Sequence, residues 1–144
     1  MPAEWIDYNG HMMDAYYFLA FTEATEALLD RVGLGARYRA ETGCGMYTAE
    51  SHLCFRASVQ AGAELRYSSQ VLGCDAKRLH VFHLMTVAGS LVATCELMFL
   101  HVSENRVAPM PPEAAAAVAA LAADQAALPR PDRAGRRIAM PQRA

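Results

Sequence analysis

Metal-ligand spacing, redox cysteine pairs and membrane-length apolar runs are all missing from this chain. Its four cysteines (Cys44, Cys54, Cys74 and Cys95) form no CxxC pair, which removes zinc-ribbon and thioredoxin-like readings. Each lies in or beside an apolar run, so a reduced, buried thiol is expected at each. No stretch reaches the ~18 uninterrupted apolar residues of a membrane span, and no basic-then-apolar leader opens the sequence. A GxSxG elbow and a Gly-rich phosphate loop are absent as well. The expectation is a cytoplasmic protein with no membrane partner, no metal and no bound prosthetic group.

What is present starts with an uneven charge. The net charge is −2, but residues 127–144 hold Arg130, Arg133, Arg136, Arg137 and Arg143 against Asp132, a local +4 on a body of −6. Such an end either attracts phosphates or is a solvated tail. At 144 residues the length suits one globular unit, and a hydrophobic fraction of 53% hints at apolar surface covered by a partner subunit.

From Asp14 to Val32 the sequence reads as one amphipathic helix. Tyr17, Phe21, Ala24, Leu28 and Val32 form an apolar stripe, Glu23, Glu26 and Asp30 lie opposite, and Gly33 is placed to close it. After a Gly-rich connection the period changes to two. Strands are expected near 46–58, 63–74, 77–88 and 91–103, with turns at Ala61-Gly62, Asp75-Ala76 and Gly89-Ser90, so that consecutive strands meander antiparallel. A short strand near Ala3–Ile6 would precede them. One long helix with four long strands predicts a two-layer α+β fold, a sheet wrapped around a central helix. Beyond Pro109, "PPEAAAAVAALAADQAALP" frames an Ala-rich helix over 113–127 that buries little area. The chain thus divides into a body, 1–108, and a C-terminal helix and Arg-rich tail, 109–144. That Ala-rich segment lacks the basic residues of a DNA-binding element, and no nucleic-acid partner is expected.

The densest polar stretch is "WIDYNGHM", residues 5–12. It leads into the long helix, whose first N–H groups are unpaired and carry partial positive charge. Such donors, with the Asn9 amide and the His11 imidazole, suit an oxyanion that develops during acyl transfer. Asp7 and Glu50 are carboxylates able to activate water or attack directly. The plain alternative is an Asn-Gly turn capped by Asp7, with His11 a surface residue. Strand alternation places Met46, Thr48, Glu50, His52 and Cys54 on one face. Glu50 and His52 are then either a proton-handling pair or a pair at a subunit interface. Lys77 and Arg78 are candidates for phosphate contacts or simply a charged hairpin tip. His80 and His83 fall on opposite faces of one strand and cannot share a metal, and His101, ending the last strand, is expected to be solvated.

"WIDYNGHMMDAYYFLAFTEATEALLDRVG", followed by "YTAESH" and "LGCDAKRLHVFHLM", resembles the hot-dog-fold acyl-CoA thioesterases of the 4-hydroxybenzoyl-CoA thioesterase-like superfamily. Within it, the stretch is most similar to betainyl-CoA thioesterases, including the domain fused to some carnitine 3-dehydrogenases. The D-x-N-x-H pattern is also similar to that of plant acyl-carrier-protein thioesterases. Hot-dog hydratases use D-x-N-P-x-H instead, with Asn and His one residue further apart. An acyl-CoA-sensing module is the non-catalytic alternative.

The resemblance spans about residues 3–103. It implies hydrolysis of a small acyl-CoA by a homodimer or tetramer, with coenzyme A as part of the substrate and no cofactor. It places Asp7, Asn9, His11 and, as a weaker match, Glu50 in the catalytic site. Met13 stands where relatives often have Asn. A betainyl group carries a trimethylammonium, which aromatic faces hold best. Trp5, Tyr8, Tyr16 and Tyr47 are the candidates for such a cage.

Overall fold

The computed structural model describes residues 1–140, so Arg143 of the basic tail lies outside the described residues. The long helix, α1, spans Asp14–Arg31. It buries Tyr17, Ala20, Phe21, Ala24, Leu28 and Leu29, the expected stripe with Ala20 and Leu29 added. Val32 is also buried, and Gly33 follows in the left-handed region, as expected. This face packs on a sheet whose strands are β1 (Gly45–Phe55), β2 (Arg66–Cys74), β3 (Arg78–Val87), β4 (Ser90–Ser103) and the short β5 (Arg106–Val107). The result is the expected α+β architecture, an antiparallel sheet wrapped around one helix. Phe21, 1% exposed, sits at the centre of the interface. Truncating such a side chain to Ala costs about 3–5 kcal/mol.

Strand order corrects one expectation. The sheet runs β1-β4-β3-β2, so β2, β3 and β4 meander while β1 crosses over to pair with β4. The reason is the connection after β1. Residues 56–65 form a long loop rather than a hairpin, and Met12 and His11 meet it through Met12 N–H to Val59 O at 2.8 Å and a bridge from His11 to Gln60. Among the described residues β1 therefore has a neighbour on one side only, and its other edge is open.

Other elements differ locally. Ala3–Trp5 is a 3-10 turn rather than a strand, because Trp5 N–H and Ile6 N–H bond back to Pro2 O and Ala3 O. The Gly-rich connection contains a short helix, α2 (Ala36–Thr42), between Gly35 and a left-handed Gly43. A bulge between Thr48 and Glu50 splits the expected face of β1. Thr48 pairs with Phe99 on the helix side, whereas Glu50, His52 and Cys54 pair with Met98, Glu96 and Thr94 on the outer side. Met46 accordingly packs into the core. Of the cysteines only Cys95 is buried; Cys44 and Cys54 are half-buried and Cys74 is exposed at the end of β2.

His101 is not solvated. It is 2% exposed, held by Tyr38 Oη at Nε2 (2.9 Å) and by Ala108 O at Nδ1 (3.0 Å). A carbonyl can only accept, so Nδ1 carries the proton. Its hydroxyl partner, Tyr38, comes from α2, a short helix inside the Gly-rich connection.

The Ala-rich helix, α3 (Pro112–Asp124), docks more firmly than its composition suggests. Ala114, Val118 and Leu121 join the same core as α1. Just past it, Gln125 clamps the edge strand: Val71 N–H donates to its Oε1 (2.8 Å) and its Nε2 donates to Ser69 O (2.9 Å). These bonds mimic an added strand and close that edge. Residues 128–137 then cross to the outer face of the sheet. There Gln70 Nε2 donates to Pro129 O (3.4 Å) and Gly135 N–H donates to Glu96 Oε2 (2.7 Å). Among the described residues the tail is thus a strap rather than a free end. Among the described residues no helix is long and apolar enough to cross a membrane.

Candidate active site

The stretch that enters α1 is a tight reversal. Asp7 N–H donates to His11 O (2.8 Å) and Gly10 N–H to Asp7 O (3.0 Å). Gly10 has φ +78°, a conformation that residues with a side chain rarely adopt, so the reversal requires glycine at that position. The Asp7 carboxylate organises the loop from inside. Asn9 N–H donates to its Oδ1 (2.8 Å), Asn9 Nδ2 to its Oδ2 (3.2 Å) and His11 N–H to Oδ1 (3.4 Å). Partial desolvation pushes this carboxyl up, but the donors of Asn9 and His11, with the His11 charge, together outweigh it and hold the group below the usual carboxylate range. Asp7 is therefore ionised at neutral pH, and Asp7, Asn9 and His11 are one hydrogen-bonded unit.

Helix α1 begins directly after this unit. Met13 is its N-cap, and no side-chain oxygen caps the helix among the described residues. Met13 N–H is used by Trp5 O (2.9 Å) and Tyr16 N–H by Met13 O (2.9 Å), which leaves the N–H groups of Asp14 and Ala15 without a partner among the described residues. Tyr17 ties the helix start to the loop after β1, its Oη donating to Ala57 O (3.2 Å) and accepting from Val59 N–H (3.1 Å). Trp5 stacks on Tyr16 with ring centroids 5.3 Å apart and planes 10° apart. Tyr8 is 97% exposed beside them. Asp7, Asn9, His11, Trp5, Tyr8 and Tyr16 thus gather around the start of α1.

The remaining candidates lie elsewhere within one chain. Glu50 is exposed in the middle of β1, and His52, half-buried next to it, faces Glu96 across the ladder. Tyr47 is at the far end of β1, roughly 25 Å from Phe55 at ~3.3 Å per residue. One face of its ring is covered by the Arg39 guanidinium, 5.6 Å from the centroid. Lys77 and Arg78 share that far end, since Arg78 and Tyr47 both pair with Leu100. Arg78 forms an ion pair with Asp75 (2.6 Å), whose Oδ1 also accepts from the N–H groups of Lys77 and Arg78. That bonding, Arg78 foremost, pulls the Asp75 carboxyl down to about 2.

The two histidines of β3 have partners on opposite faces of the sheet. His83 is fully buried on the helix side of β3, with Ser69 Oγ at its Nδ1 (2.8 Å) and Thr25 Oγ at its Nε2 (3.2 Å). Burial pushes it down to about 4, so it is neutral at pH 7. On the outer face His80 Nε2 meets Glu96 Oε1 at 2.7 Å. The only signal for either pairing was period-two alternation, which places side chains on faces but does not supply their partners.

A wrapped helix whose uncapped start meets a loop of oriented donors beside an open strand edge is the arrangement of a hot-dog acyl-thioester enzyme. The thioesterase-like superfamily model matches residues 1–118. The betainyl-CoA thioesterase of Pseudomonas aeruginosa PAO1 is 44% identical over 142 residues, covering 96% of this chain and 89% of the relative. The L-carnitine dehydrogenase/betainyl-CoA thioesterase of Agrobacterium fabrum C58 is 44% identical over 134 residues, 91% of this chain but 27% of that longer protein. A Staphylococcus aureus protein solved in complex with CoA superposes with a TM-score of 0.91 at 26% identity, over 98% of this chain and 91% of the other. The chain belongs to the thioesterase-like superfamily. Its activity is hydrolysis of an acyl-CoA thioester.

Proposed function

We propose that the acyl group is betainyl and that the reaction centre is shared by two copies of the chain. The reaction centre rests on the Asp7–Asn9–His11 unit at the start of α1 and the open edge of β1, and the betainyl reading on the 44% identity to the betainyl-CoA thioesterase of Pseudomonas aeruginosa. The thioester carbonyl accepts from Asn9 Nδ2 or the His11 ring together with first-turn N–H groups, which stabilise the oxyanion as it forms. Asp7 or Glu50 is the base or the nucleophile. Water ends bonded to the carbonyl carbon, the C–S bond breaks, and coenzyme A leaves as a thiol while the acid is released.

Dimerisation through β1 accounts for the scattered candidates. The open edge is flanked by exposed apolar side chains, Phe18 on α1, which shares a groove with Met46 and Thr48, and Tyr47 and Phe55 on β1. Antiparallel pairing of two β1 edges about a two-fold axis brings the Asp7 end of one copy to the Tyr47 end of the other. Tyr47, Lys77 and Arg78 of the partner subunit then approach the unit that they cannot reach within one chain. The two arginine-lysine positions would face coenzyme A phosphates, and Trp5, Tyr8 and Tyr16 the trimethylammonium.

The test is thiol release from betainyl-CoA against its neutral isostere 3,3-dimethylbutanoyl-CoA. Two or three cation–π contacts at roughly 0.5–2 kcal/mol each predict a preference of ~10²-fold for betainyl. Equal efficiency removes the cage, and absence of free thiol from either ester removes the catalytic assignment. Mixing Asp7→Asn chains with Tyr47→Ala chains restores roughly a quarter of wild-type activity if each site draws on two copies, since random dimers rebuild one intact site in four. No restoration means that each site is complete within one chain.

A further inference from the structure

The outer face of the sheet carries a second apolar layer that thioester hydrolysis does not use. Phe82 on β3 and Thr94 on β4 lie in the registers that face away from α1, yet each is 2% exposed. The strap covers them. It is anchored at both ends, by the Gln125 clamp on β2 and by Gly135, whose φ of +75° turns its N–H onto Glu96. Glu96 is itself fixed by His80.

Between strap and sheet lies a cavity of about 480 Å³, a size typical of small-molecule sites. Its floor is Phe82, Leu84 and Leu91, and Arg56, Arg130 and Arg133 border it against the single carboxylate of Asp132. None of Asp7, Asn9, His11 or Glu50 lines it. Its roof lies beyond residue 118, where the family match ends.

We infer that this cavity binds an amphiphilic carboxylate, an aliphatic chain against Phe82, Leu84 and Leu91 with its head group on the arginine border. A guanidinium offers paired donors that match the two oxygens of a carboxylate. The floor offers only dispersion and burial, which suit an unsubstituted hydrocarbon chain. Three arginines against one aspartate disfavour a cationic ligand, so the site rejects the trimethylammonium head that the catalytic centre is proposed to accept. It is independent of the acyl group assigned above.

Calorimetric titration of the full chain with sub-millimolar decanoate, decanol and decyltrimethylammonium tests this. One decanoate binds per chain, and the neutral and cationic probes bind at least ~10-fold more weakly. The double variant Arg56→Ala/Arg133→Ala loses at least ~10-fold in decanoate affinity. Leu84→Trp fills the cavity and abolishes binding, as does Leu91→Trp at the more exposed end of the floor, while thioester turnover by both stays at the wild-type level and reports a folded protein. Four results overturn the inference: no decanoate binding, equal binding of decanol or decyltrimethylammonium, binding retained in both tryptophan variants, or displacement of decanoate by coenzyme A, which would put it in the catalytic cleft.

Discussion

The buried His83 offers a stability prediction whose sign and size come from its surroundings. In the folded chain it is neutral and held between Ser69 and Thr25, with burial pushing it to about 4 from the usual 6.5. The unfolded chain therefore binds a proton through this window that the folded chain does not. Stability rises with pH between about 4 and 6.5, and the loss occurs as the pH falls through the same range. Below about 4 both states are protonated and nothing more is lost. The gap sets a ceiling of roughly 3 kcal/mol, of which about 2–3 kcal/mol is lost between pH 7.5 and 4.5. His83→Gln keeps a donor and an acceptor for the two hydroxyls but cannot titrate. Urea unfolding of both proteins at the two pH values isolates the effect, because every other titratable group is shared. The wild type should lose about 2–3 kcal/mol more than the variant. Equal losses, or an NMR titration of the His83 ring near 6.5, refute the reasoning.

Asp7→Asn replaces an acceptor with a donor facing Asn9 and His11, and should lower turnover by at least ~10²-fold without unfolding the protein; Glu50→Gln with the same loss would assign the base to Glu50 instead. If an ionised Asp7 is essential, the acid limb of kcat/KM falls below the ordinary carboxylate value, because its folded pKa is lowered; a limb near neutrality excludes it as the titrating group. Gln125→Ala strands the Val71 N–H and should cost about 1–3 kcal/mol, seen as a Tm lower by roughly 3–10 °C in calorimetry. Phe18→Asp should convert a dimer to monomers by light scattering, since it puts charge on the apolar flank of the β1 edge.

Much of the architecture was legible because it rests on local periodicity. The Tyr17–Val32 stripe, the four long strands and the two-layer packing follow from where apolar residues recur. What was not legible depends on non-local choices. Nothing in the local pattern of Met46–Cys54 reveals that β1 pairs with β4, and the bulge at Ala49 flips Glu50 away from Thr48 without any sequence mark. The burial of His101 follows from Tyr38 on a helix hidden among glycines. The strap escaped because Pro, Arg and Ala carry no period. Its hold on the sheet comes from single side chains, Gln125, Gln70 and Glu96, that look like ordinary surface polar residues in the sequence.

The opening stretch posed two readings, a capped turn or a reactive constellation, and the geometry makes them one. The same Asp7 oxygens that cap the reversal orient the Asn9 amide and the His11 backbone, so the loop's shape is set by the groups proposed to meet the substrate. Spacing is what allows it. Placing Asn and His at the second and fourth positions after Asp lets one carboxylate reach both across a reversal whose fourth residue is Gly10. A proline inserted before the histidine, as in the hydratase pattern, would lengthen this loop and remove an N–H from it. Met13 fits the same logic. A polar side chain at that N-cap would satisfy first-turn N–H groups from within, whereas methionine leaves them available to an incoming carbonyl. In the proposed mechanism, Met13 in place of Asn leaves oxyanion stabilisation to the backbone and to Asn9.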